Sequence, residues 1–314
     1  MRGRFRPAGA AGGVLPSGPL TRPLVTAADL ARGEPLPEGA LLTPLARDLL
    51  RRQGRQAPGP GQATPRAARL LIANWKCWKT AGEAREFARE LRGLVARGAP
   101  GLLPIVCPPF TALHALHEAL GGAAELGAQD ISAEDEGAYT GEVAARHLVD
   151  AGCRWALVGH SERRHMGEDE PLLARKLRAA LRGGLRPVLC VGETAEERRG
   201  RREQAVVREQ LRAALDGLEP ARLARVALAY EPRWAIGAGV TPTPAEVEAM
   251  LAVVREGLAA LGGPEVGQGA SVLYGGSVSG KNAAELLRVP GCSGALVGGA
   301  SLSAAEFARI LAAG

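Results

Sequence analysis

Long apolar runs are missing from this 314-residue chain. No stretch approaches the roughly 18 consecutive apolar residues that a membrane-spanning helix requires, so a soluble protein is expected. Aromatic residues are scarce at 4%, and with a hydrophobic content of 46% any large core must be mostly aliphatic. Cysteines number five, Cys77, Cys107, Cys153, Cys190 and Cys292. The odd count and the absence of CxxC or other ligand spacing argue against a disulfide framework or a thiolate metal site, and point to a reducing compartment. Lysine is nearly absent: Lys76, Lys79, Lys176 and Lys281 stand among 39 basic residues. The net charge of +6 is confined to one end, because residues 1–66 hold ten arginines against Asp29, Glu34, Glu38 and Asp48 while the rest of the chain is balanced. A neutral body without a basic face does not suggest a nucleic-acid partner.

Composition divides the chain in two. Residues 1–66 are rich in Pro, Gly, Ala and Arg, and 1–20 and 53–66 read as flexible linker. Between them Thr43-Pro44-Leu45-Ala46-Arg47-Asp48-Leu49-Leu50 offers a capping threonine, a proline at the first helical position and leucines on one face. This predicts a short amphipathic helix near 44–52. No continuous apolar region marks a cleaved signal, and Ser17 is the one serine of the segment, unlike an organelle transit peptide.

Residues 67–314 alternate short apolar runs with longer amphipathic ones. The strand candidates are 70–74, 103–107, 124–129, 155–159, 187–191, 226–230, 271–274 and 295–297. Helical patterns cover 82–96, 172–181, 196–215, 244–261 and 304–311. Strands separated by helices pair in parallel, and eight such units fit the α/β class as a closed (β/α)8 barrel. An open doubly wound sheet usually carries a GxGxxG turn after its first strand; Asn74-Trp75-Lys76 follows this one.

In a parallel barrel the working groups gather where the strands end. Asn74 and Lys76 close the first strand, Gln129 the third, His160-Ser161-Glu162 the fourth, Glu193 the fifth and Glu231 the sixth. Gly275-Gly276-Ser277 closes the seventh and Gly298-Gly299 the eighth. Glu231 is followed by Pro232 and, after a short interval, by Gly237 and Gly239, a stiff segment with freer ends such as a lid would use. The remaining histidines, His114, His117, His147 and His165, show no metal-ligand spacing, and Cys190 fits a buried strand better than a nucleophile.

Eight motifs, in order, carry a resemblance. They are Asn74-Trp75-Lys76, Gly127-Ala128-Gln129-Asp130, Ala138-Tyr139-Thr140-Gly141-Glu142, Val158-Gly159-His160-Ser161-Glu162-Arg163-Arg164, Cys190-Val191-Gly192-Glu193-Thr194, Ala229-Tyr230-Glu231-Pro232, Tyr274-Gly275-Gly276-Ser277-Val278 and Leu296-Val297-Gly298-Gly299-Ala300-Ser301-Leu302. Across 69–314 the chain resembles the triosephosphate isomerase family. The resemblance implies a glycolytic and gluconeogenic aldose-ketose isomerase that needs no cofactor and no metal. Glu231 would carry a proton between adjacent carbons, and His160 would act as a neutral hydrogen-bond donor to the carbonyl oxygens. Lys76 with Asn74 would stabilise the oxyanion and the phosphate, and Glu162 would orient the lysine or relay protons. Amides of Gly237, Ser277, Gly298 and Gly299 would hold the substrate phosphate. The loop carrying Tyr139, Thr140 and Glu142 would reach into a second copy, giving a homodimer.

Departures from the family pattern fall at Trp78 and in the lid, at Arg233, Ala238 and Val240-Thr241-Pro242, where the added stiffness predicts slower closure. Residues 21–55 resemble a leader of bacterial microcompartment enzymes, implying a docking partner there. The expected location is cytoplasmic, with a microcompartment interior as the variant. Two alternatives stay open: isomerisation of a four-carbon ketose phosphate, and an idle barrel serving as a scaffold component.

Overall fold

The computed structural model describes residues 24–25, 41–42, 69–95, 101–236 and 241–314. The helix expected near 44–52 lies outside the described residues, as does most of the 1–66 segment. Within that segment Leu24–Val25 and Leu41–Leu42 form two short strands paired in parallel.

Eight parallel strands close into a barrel. They are β1 (Leu70–Asn74), β2 (Leu103–Cys107), β3 (Glu125–Ala128), β4 (Cys153–Val158), β5 (Arg186–Val191), β6 (Ala227–Tyr230), β7 (Val272–Tyr274) and β8 (Gly294–Val297). Each pairs with its successor, and β8 pairs with β1 in the register Gly294 to Leu70. The strands expected from the sequence all form, with ends displaced by no more than two residues.

Successive side chains of a strand point to opposite faces, so each barrel strand feeds two cores. Leu70, Ile72, Ile105, Cys107, Trp155, Leu157, Val188, Cys190, Ala227 and Ala229 pack with one another inside the barrel. Leu71, Ala73, Val106, Ala156, Val158, Leu189, Leu228 and Tyr230 pack outward against the helices. Aliphatic residues carry both layers, as the scarcity of aromatics requires.

The helices follow capping chemistry. Asp169 accepts the Leu172 amide at 2.9 Å and opens Glu170–Arg182, which has proline in its first turn. Thr243 and Glu246 form a reciprocal capping box at the start of Pro244–Gly262. One expectation is corrected. The pattern over 196–215 is two helices, Ala195–Arg199 and Glu203–Leu215. Arg201 between them has φ +53°, a left-handed conformation that cannot continue a right-handed helix. Among the described residues no helix is long and apolar enough to cross a membrane.

Candidate active site

The inward alternation of each strand, extended past its last residue, selects the side chains that stand over the barrel mouth. In β1 the series Leu70, Ile72 leads to Asn74, and in β6 Ala227, Ala229 leads to Glu231. β4 alternates out of phase, and Gly159 corrects it. Its φ of +72° turns the chain so that His160, next in line, also faces the mouth. Asn74, Lys76, His160, Glu162, Glu231, Ser277, Gly298 and Gly299 together line one cavity of about 790 Å³.

Glu231 and His160 are both buried. Glu231 Oε1 stands 3.1 Å from His160 Nε2, and Glu231 Oε2 accepts the Ser161 main-chain N–H at 2.8 Å. His160 Nδ1 accepts the Glu162 main-chain N–H at 3.3 Å, which leaves the ring proton on Nε2, the nitrogen facing the carboxylate and the cavity. The imidazole thereby offers a neutral donor.

Lys76 is held in an unusual conformation. Its φ of +52° belongs to the left-handed region, which side-chain-bearing residues enter at a cost of roughly 1–3 kcal/mol. Neighbours over-determine that conformation. Asn74 Oδ1 accepts the Lys76 N–H at 3.0 Å, and Gln129 Nε2 donates to the Lys76 carbonyl at 2.8 Å and to the Cys107 carbonyl at 2.9 Å. Its ammonium pairs with Glu162 at 2.6 Å. On its other side lies Gly298, where an added Cβ would come 3.7 Å from Lys76 Nζ. A cation, a neutral hydrogen-bond donor and a carboxylate thus face the same space.

Two glycines make room for the carboxylate. A Cβ on Gly275 would stand 2.8 Å from Glu231 Cγ, and one on Gly192 would meet the Glu231 main chain. Glu193, fully buried, ties down the chain on both sides of Glu231. It accepts from the Tyr230 hydroxyl at 3.0 Å and from Trp234 Nε1 at 2.8 Å, and it pairs with Arg198 at 3.2 Å. Burial pushes the Glu193 carboxyl above its ordinary value, against these hydrogen bonds. Arg198 also lies 4.7 Å over the Trp234 ring and bonds Glu246 at 2.5 Å.

Of the residues read from sequence, Gly237 lies outside the described residues, as do Ala238, Gly239 and Val240. Tyr139, Thr140 and Glu142 are exposed and do not line this cavity. Sequence reasoning placed Gln129 and Glu193 at strand ends without a role, and it missed Asn282, whose side chain lines the cavity and bonds back to the Ser277 carbonyl. Burial raises the Cys190 thiol well above its usual range, in keeping with a strand residue that is no nucleophile. Among the described residues no group of His, Cys, Asp and Glu is placed to hold a metal ion.

The family model described as triosephosphate isomerase matches residues 69–314. The triosephosphate isomerase of Chloroflexus aurantiacus is 48% identical over 248 residues, covering 77% of this chain and 97% of the relative. That of a Roseiflexus species is 47% identical over 245 residues, covering 77% and 96%. Among solved structures, the triosephosphate isomerase of Bartonella henselae superimposes with a TM-score of 0.69 at 36% identity, covering 77% of this chain and 97% of that one.

Proposed function

This chain belongs to the triosephosphate isomerase family, and we propose that Glu231, His160, Lys76 and Asn74 perform its aldose-ketose isomerisation of dihydroxyacetone phosphate and glyceraldehyde 3-phosphate. The observation that carries the assignment is the 3.1 Å approach of Glu231 to His160 within a cavity that Lys76 and Gly298 also line.

The reaction moves one proton between adjacent carbons and one between the oxygens they carry. Glu231 takes the proton from the carbon beside the carbonyl, and negative charge passes to the carbonyl oxygen as an enediolate forms. His160 Nε2–H donates to that oxygen, and the Lys76 ammonium, which lines the same cavity, stabilises the developing charge. The protonated Glu231 then returns the proton to the neighbouring carbon, while His160 gives its Nε2 proton to the former carbonyl oxygen and takes up the hydroxyl proton of the other, so that both oxygens end in the product state and Glu231 serves as base and acid at carbon. Its carboxylate packs against Gly275, where no side chain stands in its way. Glu162, paired with Lys76, orients the ammonium. Amides of Ser277, Gly298 and Gly299 bind the phosphate, with Gly237 assigned to the same task by family resemblance.

A homodimer completes the reading. Trp78, Tyr139 and Met166 are exposed, at 62%, 50% and 69%, and Tyr139 adjoins Thr140 in the loop assigned to the second copy. Sedimentation that found a fully active monomer would reject it. For residues 21–55 the leader resemblance supports docking to a microcompartment partner in the cell; unchanged localisation after deletion of 1–66 would reject that.

The central test is a coupled assay on the three-carbon ketose phosphate and on a four-carbon analogue, with Glu231→Gln as the control. We expect turnover of the three-carbon substrate and a fall of roughly 10²- to 10⁴-fold in kcat for the variant. Turnover of the four-carbon substrate alone would overturn the substrate assignment, and full activity of Glu231→Gln would overturn the role of the base.

A further inference from the structure

We propose that Asn282 is a positioning residue for substrate phosphate, setting the shape of the Ser277 loop through its side-chain amide; this rests on the isomerase reading above.

The side chain of Asn282 closes a small ring. Its Nδ2 donates to the Ser277 carbonyl at 2.9 Å, while its Oδ1 accepts the Ser279 N–H at 2.8 Å and the Ser279 hydroxyl at 3.3 Å. One planar amide therefore grips the main chain on both sides of Val278. The Ser277 carbonyl and the Ser279 N–H cannot turn independently, and the dihedrals between them are fixed. The Ser277 peptide that faces the anion inherits this geometry. An amide is suited to the task because it offers a donor and an acceptor on one rigid plane.

A second brace joins this loop to the other phosphate segment. Glu306 Oε1 accepts the Gly280 N–H at 2.7 Å. Glu306 belongs to the helix Ala304–Ala312, which begins just beyond the Gly298–Leu302 turn. That turn is itself pinned, with the Ser301 hydroxyl donating to the Gly298 carbonyl at 2.7 Å and Trp75 Nε1 donating to the Ser301 carbonyl at 3.1 Å. With Asn282 in place, the two loops that flank the anion form one unit. Without it, the Ser277 side of that unit loses three neutral hydrogen bonds and can rotate away.

The role separates from general stability because it concerns only the phosphate end of the substrate. The experiment compares Asn282→Ala and the near-isosteric Asn282→Asp with the unaltered chain. Three quantities are read: the Kd of inorganic phosphate by calorimetry, kcat/KM for dihydroxyacetone phosphate, and kcat/KM for D-glyceraldehyde, which has no phosphate. Loss of these neutral hydrogen bonds, felt only indirectly at the anion, predicts roughly three- to tenfold weaker phosphate binding by Asn282→Ala. Asn282→Asp is expected to bind phosphate more weakly still, because a carboxylate oxygen would face the Ser277 carbonyl. For both variants kcat/KM on dihydroxyacetone phosphate should fall as the phosphate Kd rises, and kcat/KM on D-glyceraldehyde should stay within about twofold. Unchanged phosphate affinity in both variants, or equal losses on the two substrates, would overturn the proposal. Were the unaltered chain to bind phosphate yet leave triose phosphates untouched, the isomerase reading would fall, and the phosphate Kd of the variants would still decide the role of Asn282.

Discussion

Gly192 lies directly against the main chain of Glu231: a Cβ on Gly192 would stand 1.8 Å from the Glu231 carbonyl oxygen. Nothing on the other side can yield cheaply, since Gln210 accepts the Gly192 N–H at 2.8 Å and donates to its carbonyl at 3.2 Å. Gly192→Ala must therefore shift the segment that carries Glu231, the proposed base. A misplacement of about 1 Å at a reacting group costs on the order of 10²-fold in rate. The expected outcome is a loss of that size in kcat with little change in the affinity for inorganic phosphate. Steady-state kinetics with phosphate as a competitive inhibitor checks both numbers, and an unaltered kcat would show that the strand end repacks without moving Glu231.

Gln129 supports the strained backbone of Lys76 through the Lys76 and Cys107 carbonyls. Gln129→Leu keeps the side-chain volume while removing the donor, so Lys76 is free to relax from its positive φ. A drop of roughly tenfold in kcat/KM is expected, equivalent to about 1.4 kcal/mol of lost alignment, with the circular dichroism spectrum retained. If kcat/KM holds, Asn74 alone suffices to keep the conformation.

Lys176 is buried in a four-charge cluster, bonded to Asp130 at 2.7 Å and to Glu168 at 2.5 Å, while Arg163 reaches both carboxylates. Burial already pushes the Asp130 carboxyl upward. Lys176→Met would leave buried Glu168 and half-buried Asp130 with one partner, and breaking a buried pair costs about 3–5 kcal/mol. Urea denaturation should register a lowered midpoint. A midpoint equal to that of the unaltered chain would mean that the carboxylates take up protons or water without penalty.

Glu193 supplies a pH dependence whose sign follows from its burial. Its folded carboxyl binds a proton more tightly than the ordinary value of 4.5 would give. The folded state therefore holds more protons than the unfolded chain as pH rises from that value toward the raised one, and stability falls across the window. Glu193→Gln does not ionise and lacks this loss. The difference in Tm between variant and unaltered chain should move in favour of the variant as pH rises from the ordinary carboxylate value of 4.5 toward the raised one. A difference that stays flat, or moves the other way, would show that the hydrogen bonds from Tyr230, Trp234 and Arg198 outweigh burial.

Asn74, Lys76 and Glu231 were legible in the sequence because a two-residue period carries the inward face of a strand straight to its end. The eight strands were legible for the same reason, since aliphatic runs between amphipathic helices leave few other arrangements. His160 needed more. The phase of β4 points away from the mouth, and the left-handed turn at Gly159 restores it, a correction that motif resemblance could indicate but alternation could not. Asn282 escaped because its work is done on main-chain atoms a few residues back, and an Asn after Ser-Gly-Lys reads as an ordinary turn. The break at Arg201 escaped likewise, as arginine is a good helix former whose φ is set by its surroundings.

The pairing of β8 with β1 has a consequence for how the protein comes into being. Seven of the eight strand pairs join neighbours along the chain, while this one joins the two extremes of the barrel. Trp75, next to Lys76, holds the Ser301 carbonyl 226 residues downstream. During synthesis the early strands and helices can assemble locally, but the seam between Leu70 and Gly294 waits until nearly the whole barrel has left the ribosome. Lys76 and Gly298, which line one cavity, stand on opposite sides of that seam, so the nascent chain lacks the pocket proposed for the substrate phosphate. Ligand binding can stabilise the finished molecule but cannot assist its early folding, and a chain truncated before β8 is inert from the outset.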